Sequence, residues 1–302
     1  MYYYVNQSDD PYYNQAFEEY LFEHAPEDDI LLLWRNRPAV VCGCYQNPFA
    51  EVSVPAAQKA GVAIVRRPTG GGAVYHDRGN VNYTRIAPKQ SDGADYGRFI
   101  RPVAAALNRL GIPAEFTRTC DISVDGRKVS GSAQKIAGGR VLHHGTLLYD
   151  TDLTALRALA NGRQAHYETK GIASVPWPVD NMKRYARMDT EAFTQALLAE
   201  LAGPDGVRCA LSAGGLSEVR RLAEEKYRSW DWTFGKTPAF SFRREFTWQG
   251  RELQIAYEAK KGVITAAKLP ENLAYMERAL VGLALRPELL QAVCGALWEY
   301  FL

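Results

Sequence analysis

The sequence predicts an α+β fold: mixed, largely antiparallel sheets with flanking helices, plus a small C-terminal α/β unit. Three observations predict it. Strand-like runs follow one another through turns far shorter than a parallel βαβ crossover, as at Asp125-Gly126 and Gly138-Gly139. Long helical patterns fall early, once mid-chain and late rather than between successive strands, which excludes a doubly wound sheet. Beyond a link at Ser229 to Pro238 that mixes Trp, Gly, Lys and Pro, the pattern changes to three strands and then helices. The expected division is therefore 1–237 and 238–302.

Taken in order, Asn14 to Ala25 reads as an amphipathic helix with Ala16, Phe17, Tyr20 and Leu21 on one face. Ile30 to Trp34 and Ala39 to Cys44 read as strands joined by Arg35-Asn36-Arg37-Pro38, where proline stops a helix. Pro55 to Ala60 is a short helix leading to the strand Ala63 to Arg66, and Tyr96 to Leu110 a longer one closed by Gly111. Asp121 to Val124 alternates, Asp125-Gly126 turns, and Arg127 to Val129 opens the return strand. After the Gly138-Gly139 turn, Val141 to Tyr149 is a further strand. Leu153 to Ala160, Ala192 to Leu201 and Leu216 to Tyr227 read as helices. Past the link, Ala239 to Trp248, Leu253 to Ala259 and Val263 to Lys268 are strands turned at Gln249-Gly250 and Gly262, with helices to Leu302.

With 302 residues and 47% hydrophobic content, the chain can bury a sizeable core. Its 36 basic and 34 acidic residues leave a formal charge of +2, without the basic stripe of a nucleic-acid binder. No apolar run nears the roughly 20 residues that span a bilayer. The start, MYYYVNQSDDPYY, lacks a basic segment followed by an apolar one, so a cytoplasmic protein without a membrane partner is expected. The cysteines (Cys42, Cys44, Cys120, Cys209, Cys294) are irregularly spaced, which suits buried free thiols better than a disulfide framework.

Chemistry concentrates at Arg66 to Asn80, RRPTGGGAVYHDRGN. Three consecutive glycines suit neither a helix nor a strand interior. They suit a backbone that comes close to a ligand and turns its N–H groups on an anion. Arg66 and Arg67 put fixed charge beside it, suited to phosphate or carboxylate. No Gly-Lys-Ser/Thr follows, so this is not a Walker A loop, and the dinucleotide glycine pattern is absent. A second cluster, Cys120 to Asp152, carries Lys128 before the small residues Ser130-Gly131-Ser132-Ala133, where a ligand or strand can approach the backbone. Its last strand carries His143-His144-Gly145-Thr146.

These segments, with KGIASV (170–175) and VDNM (179–182), resemble lipoate-protein ligase A in order and spacing. DDPYYNQAFEEYLF (9–22), LWRNRPAVVCGCYQNPFAE (33–51) and WDWTFGKTPAFSF (230–242) extend the resemblance over nearly the whole chain. It implies an enzyme that uses ATP and Mg2+ to convert free lipoate, with octanoate as a second candidate, to an acyl-adenylate. The acyl group would pass to a lysine of a lipoyl domain of a 2-oxoacid dehydrogenase E2 subunit, or of the glycine-cleavage H protein. Residues 238–302 would be the accessory domain of the bacterial ligases.

Gly70, Gly71 and Gly72 with Ala73 supply the anion cradle, and the resemblance sets Arg67 and the segment Gly72, Ala73, Val74 and Tyr75 against the nucleotide. Lys128 becomes the catalytic cation, touching acyl carbonyl and phosphate, with Ser130, Gly131 and Ala133 of its motif beside the ligand. Asp121 is preferred to Asp77 for magnesium or for orienting Lys128. His76 and His144 either line the acyl site or are hydrogen-bonded core residues. Lys170 either reaches phosphate from a segment that closes over the adenylate or is an exposed loop lysine.

Three positions depart from the family pattern: Cys44 where Arg or Lys is usual, Cys120 where Asn commonly precedes the Asp, and Pro178 in place of an arginine. Two alternatives share the motifs. One is an octanoyl or lipoyl transferase working through a cysteine thioester, although KGIASV holds no cysteine and only Cys44 and Cys120 lie near. The other is a non-catalytic relative that binds lipoate or a lipoyl domain. The glycine-arginine loop of a biotin ligase is absent.

Overall fold

The computed structural model describes residues 1–91, 93–117, 120–159, 165–175 and 177–302, with backbone only at 156 and 157. The strands among these residues are β1 (Tyr2–Val5), β2 (Ile30–Trp34), β3 (Ala39–Cys42), β4 (Ala63–Arg66), β5 (Val74–His76), β6 (Asn80–Pro88), β7 (Glu115–Thr117) and β8 (Asp121–Val124). They continue as β9 (Arg127–Ala137), β10 (Arg140–Leu148), β11 (Ala165–Thr169), β12 (Val207–Cys209), β13 (Phe240–Trp248), β14 (Arg251–Lys260) and β15 (Val263–Lys268). The main sheet runs β12-β1-β2-β6-β10-β9-β8-β7, and only its β12-β1 and β1-β2 pairs are parallel. A small sheet, β4-β3-β5, and an antiparallel sheet, β11-β13-β14-β15, complete the set. The mixed, largely antiparallel α+β expectation holds.

The strand β2, ILLLW, is buried at every position because both of its faces are covered. Leu31 and Leu33 pack with Ile100 and Leu107 of the helix Gly97–Arg109 and with Phe193 of the helix Thr190–Ala202. Ile30, Leu32 and Trp34 alternate to the other face, against Phe17 and Leu21 of the helix Pro11–His24 and Val219 of the helix Ala213–Leu222. Each such side chain contributes about 1.5–3 kcal/mol by leaving water.

Several elements differ from expectation. The first helix starts at Pro11 rather than Asn14, because Asp10 accepts from the N–H of Tyr12 and proline is preorganised for the first helical position. Its buried side also carries Asn14, Gln15, Glu18 and Glu19, so it is not amphipathic in the simple sense. The helix predicted over 153–160 spans Leu153–Leu159, and residue 160 lies outside the described residues. The helix predicted from Leu216 begins at Ala213 under a Ser212 cap and ends in the π-turn Ala223–Tyr227.

The strands β1, β6, β7, β11 and β12 were not anticipated, and β6 shows why. Its inward positions Asn80, Asn82 and Thr84 are polar, and they are buried by bonding one another, the Trp34 carbonyl and Glu18. Val81 and Tyr83 alternate with them into the core, so a period of two is present over 80–84, but its polar face is buried rather than open to solvent. In the third sheet, β11 pairs with β13, so residues 165–169 complete a sheet otherwise built from 240–268. Val40, Phe49, Ile64 and Tyr75 share one apolar core with Phe240, Phe242 and Tyr257.

Candidate active site

A cavity of about 370 Å3 opens where the motif segments converge. The glycine loop and β5 contribute Arg67, Gly71, Gly72, Ala73, Val74 and His76 to its lining. The β8–β9 hairpin contributes Asp121, Lys128, Gly131 and Ala133, and β10 contributes His144. Four predicted residues lie outside that lining. Tyr75 alternates to the opposite side of β5 and joins the core shared with the C-terminal sheet. Ser130 is buried, Lys170 is exposed, and Gly70 sits 3.7 Å, measured to a built Cβ, from the Tyr45 ring. A larger groove of about 540 Å3 lies by β1 and the helix Thr190–Ala202, but its Arg35 and Arg78 are paired with Glu191 and Asp9.

The two arginines before the glycines have different fates, because successive strand residues face opposite ways. Arg67 is buried and folds back on its own loop. Its guanidinium donates to the carbonyls of Gly70 at 2.6 Å, Gly72 at 2.8 Å and Val41 at 2.9 Å. With those carbonyls turned to Arg67, the N–H groups of Gly70, Gly71 and Gly72 have no acceptor among the described residues. Burial lowers the Arg67 pKa to about 10, so it remains charged at neutral pH. Ala73 differs from its neighbours, since its N–H is taken by Ser174 Oγ at 2.8 Å. Gly43 permits the close approach of this loop: a Cβ there would stand 2.1 Å from the Gly71 carbonyl oxygen.

Arg66 is fully buried and lies outside the cavity lining. It donates to the carbonyls of Gly43, Cys44 and Gln46, each at 3.0 Å, and to that of Thr233 at 2.9 Å. The expectation that both arginines stand beside a ligand is thus corrected for Arg66, which braces the scaffold, while Arg67 lines the cavity and shapes the loop.

Across the cavity, Lys128 Nζ lies 2.8 Å from Asp121 Oδ1. The absence of a side chain at Gly131 makes room for this lysine, whose Nζ would be 3.2 Å from a Cβ at that position. Residues 178–180 run alongside: Lys128 N donates to the Pro178 carbonyl and Asp180 N to the Lys128 carbonyl. Pro178 therefore serves through its backbone. Asp121 is the sole carboxylate among the described lining residues. Cys120 also lines the cavity, and burial together with Asp121 raises its pKa; burial raises that of Cys44 as well. Neither thiol is set up as the thiolate a transferase needs.

Sequence reasoning missed the polar apparatus beneath the site. Glu18, fully buried, accepts from His144 Nδ1 at 2.9 Å and from Thr84 Oγ1 at 2.6 Å. Thr69 Oγ1 accepts from Arg67 Nε at 3.0 Å and is hydrogen-bonded to His144 Nε2 at 2.8 Å. On the other wall, Asn14 fixes Asn36, whose amide donates to His76 Nδ1 at 2.9 Å. That leaves the proton of a neutral His76 on Nε2, which has no partner among the described residues. Gln15 Oε1 is likewise buried without a partner among the described residues, and both side chains line the cavity. A donor and an acceptor there await a ligand or water. The only sequence signal was a run of polar residues, Asn14-Gln15 and Glu18-Glu19, on the helix.

Burial, reinforced by Arg67, pushes the His76 pKa down to about 3, and burial does the same for His143, stacked 5.0 Å from Phe99. Both are neutral in the folded state, whereas unfolding returns them to about 6.5. Their contribution to stability is whole above pH 6.5 and is lost as pH falls toward 3. Urea unfolding at pH 7 and 5.5 is expected to differ by about 2–3 kcal/mol from this pair, and His143→Gln should flatten the slope.

Residues 10–202, more than half of the chain, match the lipoyl protein ligase A/B catalytic domain. The chain belongs to that family. The resemblance read from its motifs is borne out. Among the relatives of this lipoyl ligase family member is the lipoate-protein ligase LplJ of Bacillus subtilis (strain 168), 34% identical over 268 residues, which are 86% of this chain and 81% of that protein. Among solved structures, a lipoate-protein ligase A bound with ATP gives a TM-score of 0.64 at 25% identity, covering 77% of this chain and 98% of that one. P. falciparum LipL1 in complex with lipoate gives 0.65 at 21% identity over 97% of this chain and 93% of its own, so the fold is shared along nearly the full length. No helix among the described residues is long and apolar enough to cross a membrane.

Proposed function

We propose that this chain is an ATP-dependent lipoate-protein ligase working in the cytoplasm. The carboxylate oxygen of lipoate attacks the α-phosphorus of ATP, the bond to the bridging oxygen breaks, and pyrophosphate leaves. The amine of a target lysine then attacks the acyl carbonyl of lipoyl-AMP, gives up a proton, and AMP departs. A carboxylate is a poor electrophile, so the first step supplies the leaving group that the second consumes.

One observation carries this reading: a half-buried lysine faces a glycine loop with free N–H groups across one cavity. Adenylation is largely positioning and charge stabilisation, which such donors provide. Lys128 Nζ is the catalytic cation, leaving Asp121 to follow the oxygen on which charge develops. Gly71 and Gly72 hold phosphate oxygens, and Arg67 adds charge from behind the loop. Trp34, Val41 and Val74 offer apolar surface to the acyl chain, with His76 Nε2 as a donor beside it.

Magnesium binds one or two carboxylates together with substrate phosphates, so the lone Asp121 fits that requirement. The ion would neutralise pyrophosphate charge. Residues 1–237 are read as the catalytic domain and 238–302 as an accessory domain whose sheet takes in the strand 165–169 of the larger one. The acceptor is read as an E2 lipoyl domain or the glycine-cleavage H protein.

The test is the intact mass of an apo lipoyl domain and an apo H protein after incubation with the protein, lipoate, ATP and magnesium. A lipoyl adduct on one lysine that needs ATP is expected. Failure to form both the adduct and lipoyl-AMP would defeat the reading.

A further inference from the structure

Residues 172–175 wall one side of the cavity without belonging to a helix or strand. Apolar burial does not hold them, since Ile172 is 52% and Val175 84% exposed. Hydrogen bonds do: Ile172 N donates to the Tyr45 carbonyl at 3.2 Å, and most of the others meet at Ser174. Ser174 Oγ accepts from Ala73 N at 2.8 Å and from Gln46 Nε2 at 3.0 Å, and donates to Glu51 Oε2 at 2.5 Å. The one proton and both lone pairs are thereby used. The Glu51 carboxylate also accepts from Ser174 N at 3.2 and 3.3 Å. Gln46 adds a bond to the Ile172 carbonyl at 3.2 Å, while its Oε1 accepts from Gly43 N at 2.9 Å.

The fit has little slack. A Cβ on Gly72 would come within 3.0 Å of Ser174 Oγ, and one on Gly171 within 3.0 Å of Asn47 N. Glu51 is not among the residues lining the active cavity; it borders a separate opening of about 300 Å3 together with Asn47, Ile172 and Ala173. It therefore acts on the site through Ser174 and not on the substrate.

We propose that Glu51 is a positioning residue that, through Ser174, clasps the 172–175 wall to the glycine loop and keeps the acyl-adenylate enclosed until the acceptor amine arrives. This rests on the ligase reading. A mixed anhydride open to water loses its acyl group to hydrolysis, so the clasp governs how the intermediate partitions between lysine and water. In the leak, water oxygen attacks the acyl carbonyl, AMP leaves, and the free acid is regenerated.

The test measures AMP released per acyl-lysine formed, using the full-length protein with lipoate, ATP, magnesium and an apo lipoyl domain. The wild-type ratio should stay near unity. Glu51→Ala and Ser174→Ala should each raise it by roughly tenfold, as expected for loss of hydrogen bonds to a charged group. Glu51→Gln keeps an acceptor for the Ser174 hydroxyl and should return the ratio toward wild type. A merely structural role would lower AMP and adduct together and leave the ratio unchanged in both alanine variants, and that result would overturn the proposal. A wild-type protein making no lipoyl-AMP would instead defeat the ligase reading itself.

Discussion

Lys128→Ala should lower kcat/KM for lipoyl-AMP formation by roughly two to three orders of magnitude, the effect of removing one charge-stabilising donor from a preorganised site. The folded state should lose only about 1 kcal/mol, since the Lys128–Asp121 pair is partly open to solvent on the lysine side. Charge alone should not restore activity. Gly131 lies so close to the lysine that a Cβ there would be 3.2 Å from both Cε and Nζ, which leaves little width for a guanidinium. Lys128→Arg is therefore expected to stay near the alanine level, because a planar fork cannot track one oxygen as a point charge does. Pyrophosphate release at varied lipoate and ATP concentrations checks this. Alanine activity within about tenfold of wild type would remove Lys128 from the reacting centre.

The parts of the fold that were legible in the sequence obey local rules. The β8–β9 turn at Asp125-Gly126 has positive φ at both residues, 50° and 73°, as its dipeptide announces. The continuous apolar run of β2 marks a strand covered on both sides. What was illegible depends on contacts distant in sequence. The Asn and Thr positions of β6 look solvent-facing until Glu18 and Trp34 arrive to bond them. Edge strands of three to five residues such as β7, β11 and β12 carry too few positions to display a period. Within the site, the glycine loop and Lys128 were legible because close backbone approach restricts residue choice. Ser174 and Glu51 were not, since their bond joins positions 123 residues apart.

Arg66 and Arg67 sharpen that distinction, for adjacent identical residues have different work and sequence cannot separate them. Arg66→Ala should destabilise the fold by on the order of 3–5 kcal/mol, because it leaves buried carbonyls unpaired around a large void. Those carbonyls belong to the 43–46 turn and to Thr233, while Trp232 Nε1 donates to the Arg66 carbonyl at 2.8 Å. One guanidinium thus binds the turn under the glycine loop to the link that leads into the C-terminal sheet. Lysine has three donors on one atom and cannot reach acceptors spread along the guanidinium edge, so Arg66→Lys should recover little. Thermal unfolding should show a fall of roughly 10 °C. Had Arg66 gripped phosphate, the variant would keep its melting temperature and raise KM for ATP, so the two assignments separate in one pair of measurements. Loosening the 43–46 turn also withdraws the surface on which Gly71 rests, so activity should fall with stability in Arg66→Ala, whereas Lys128→Ala loses activity alone.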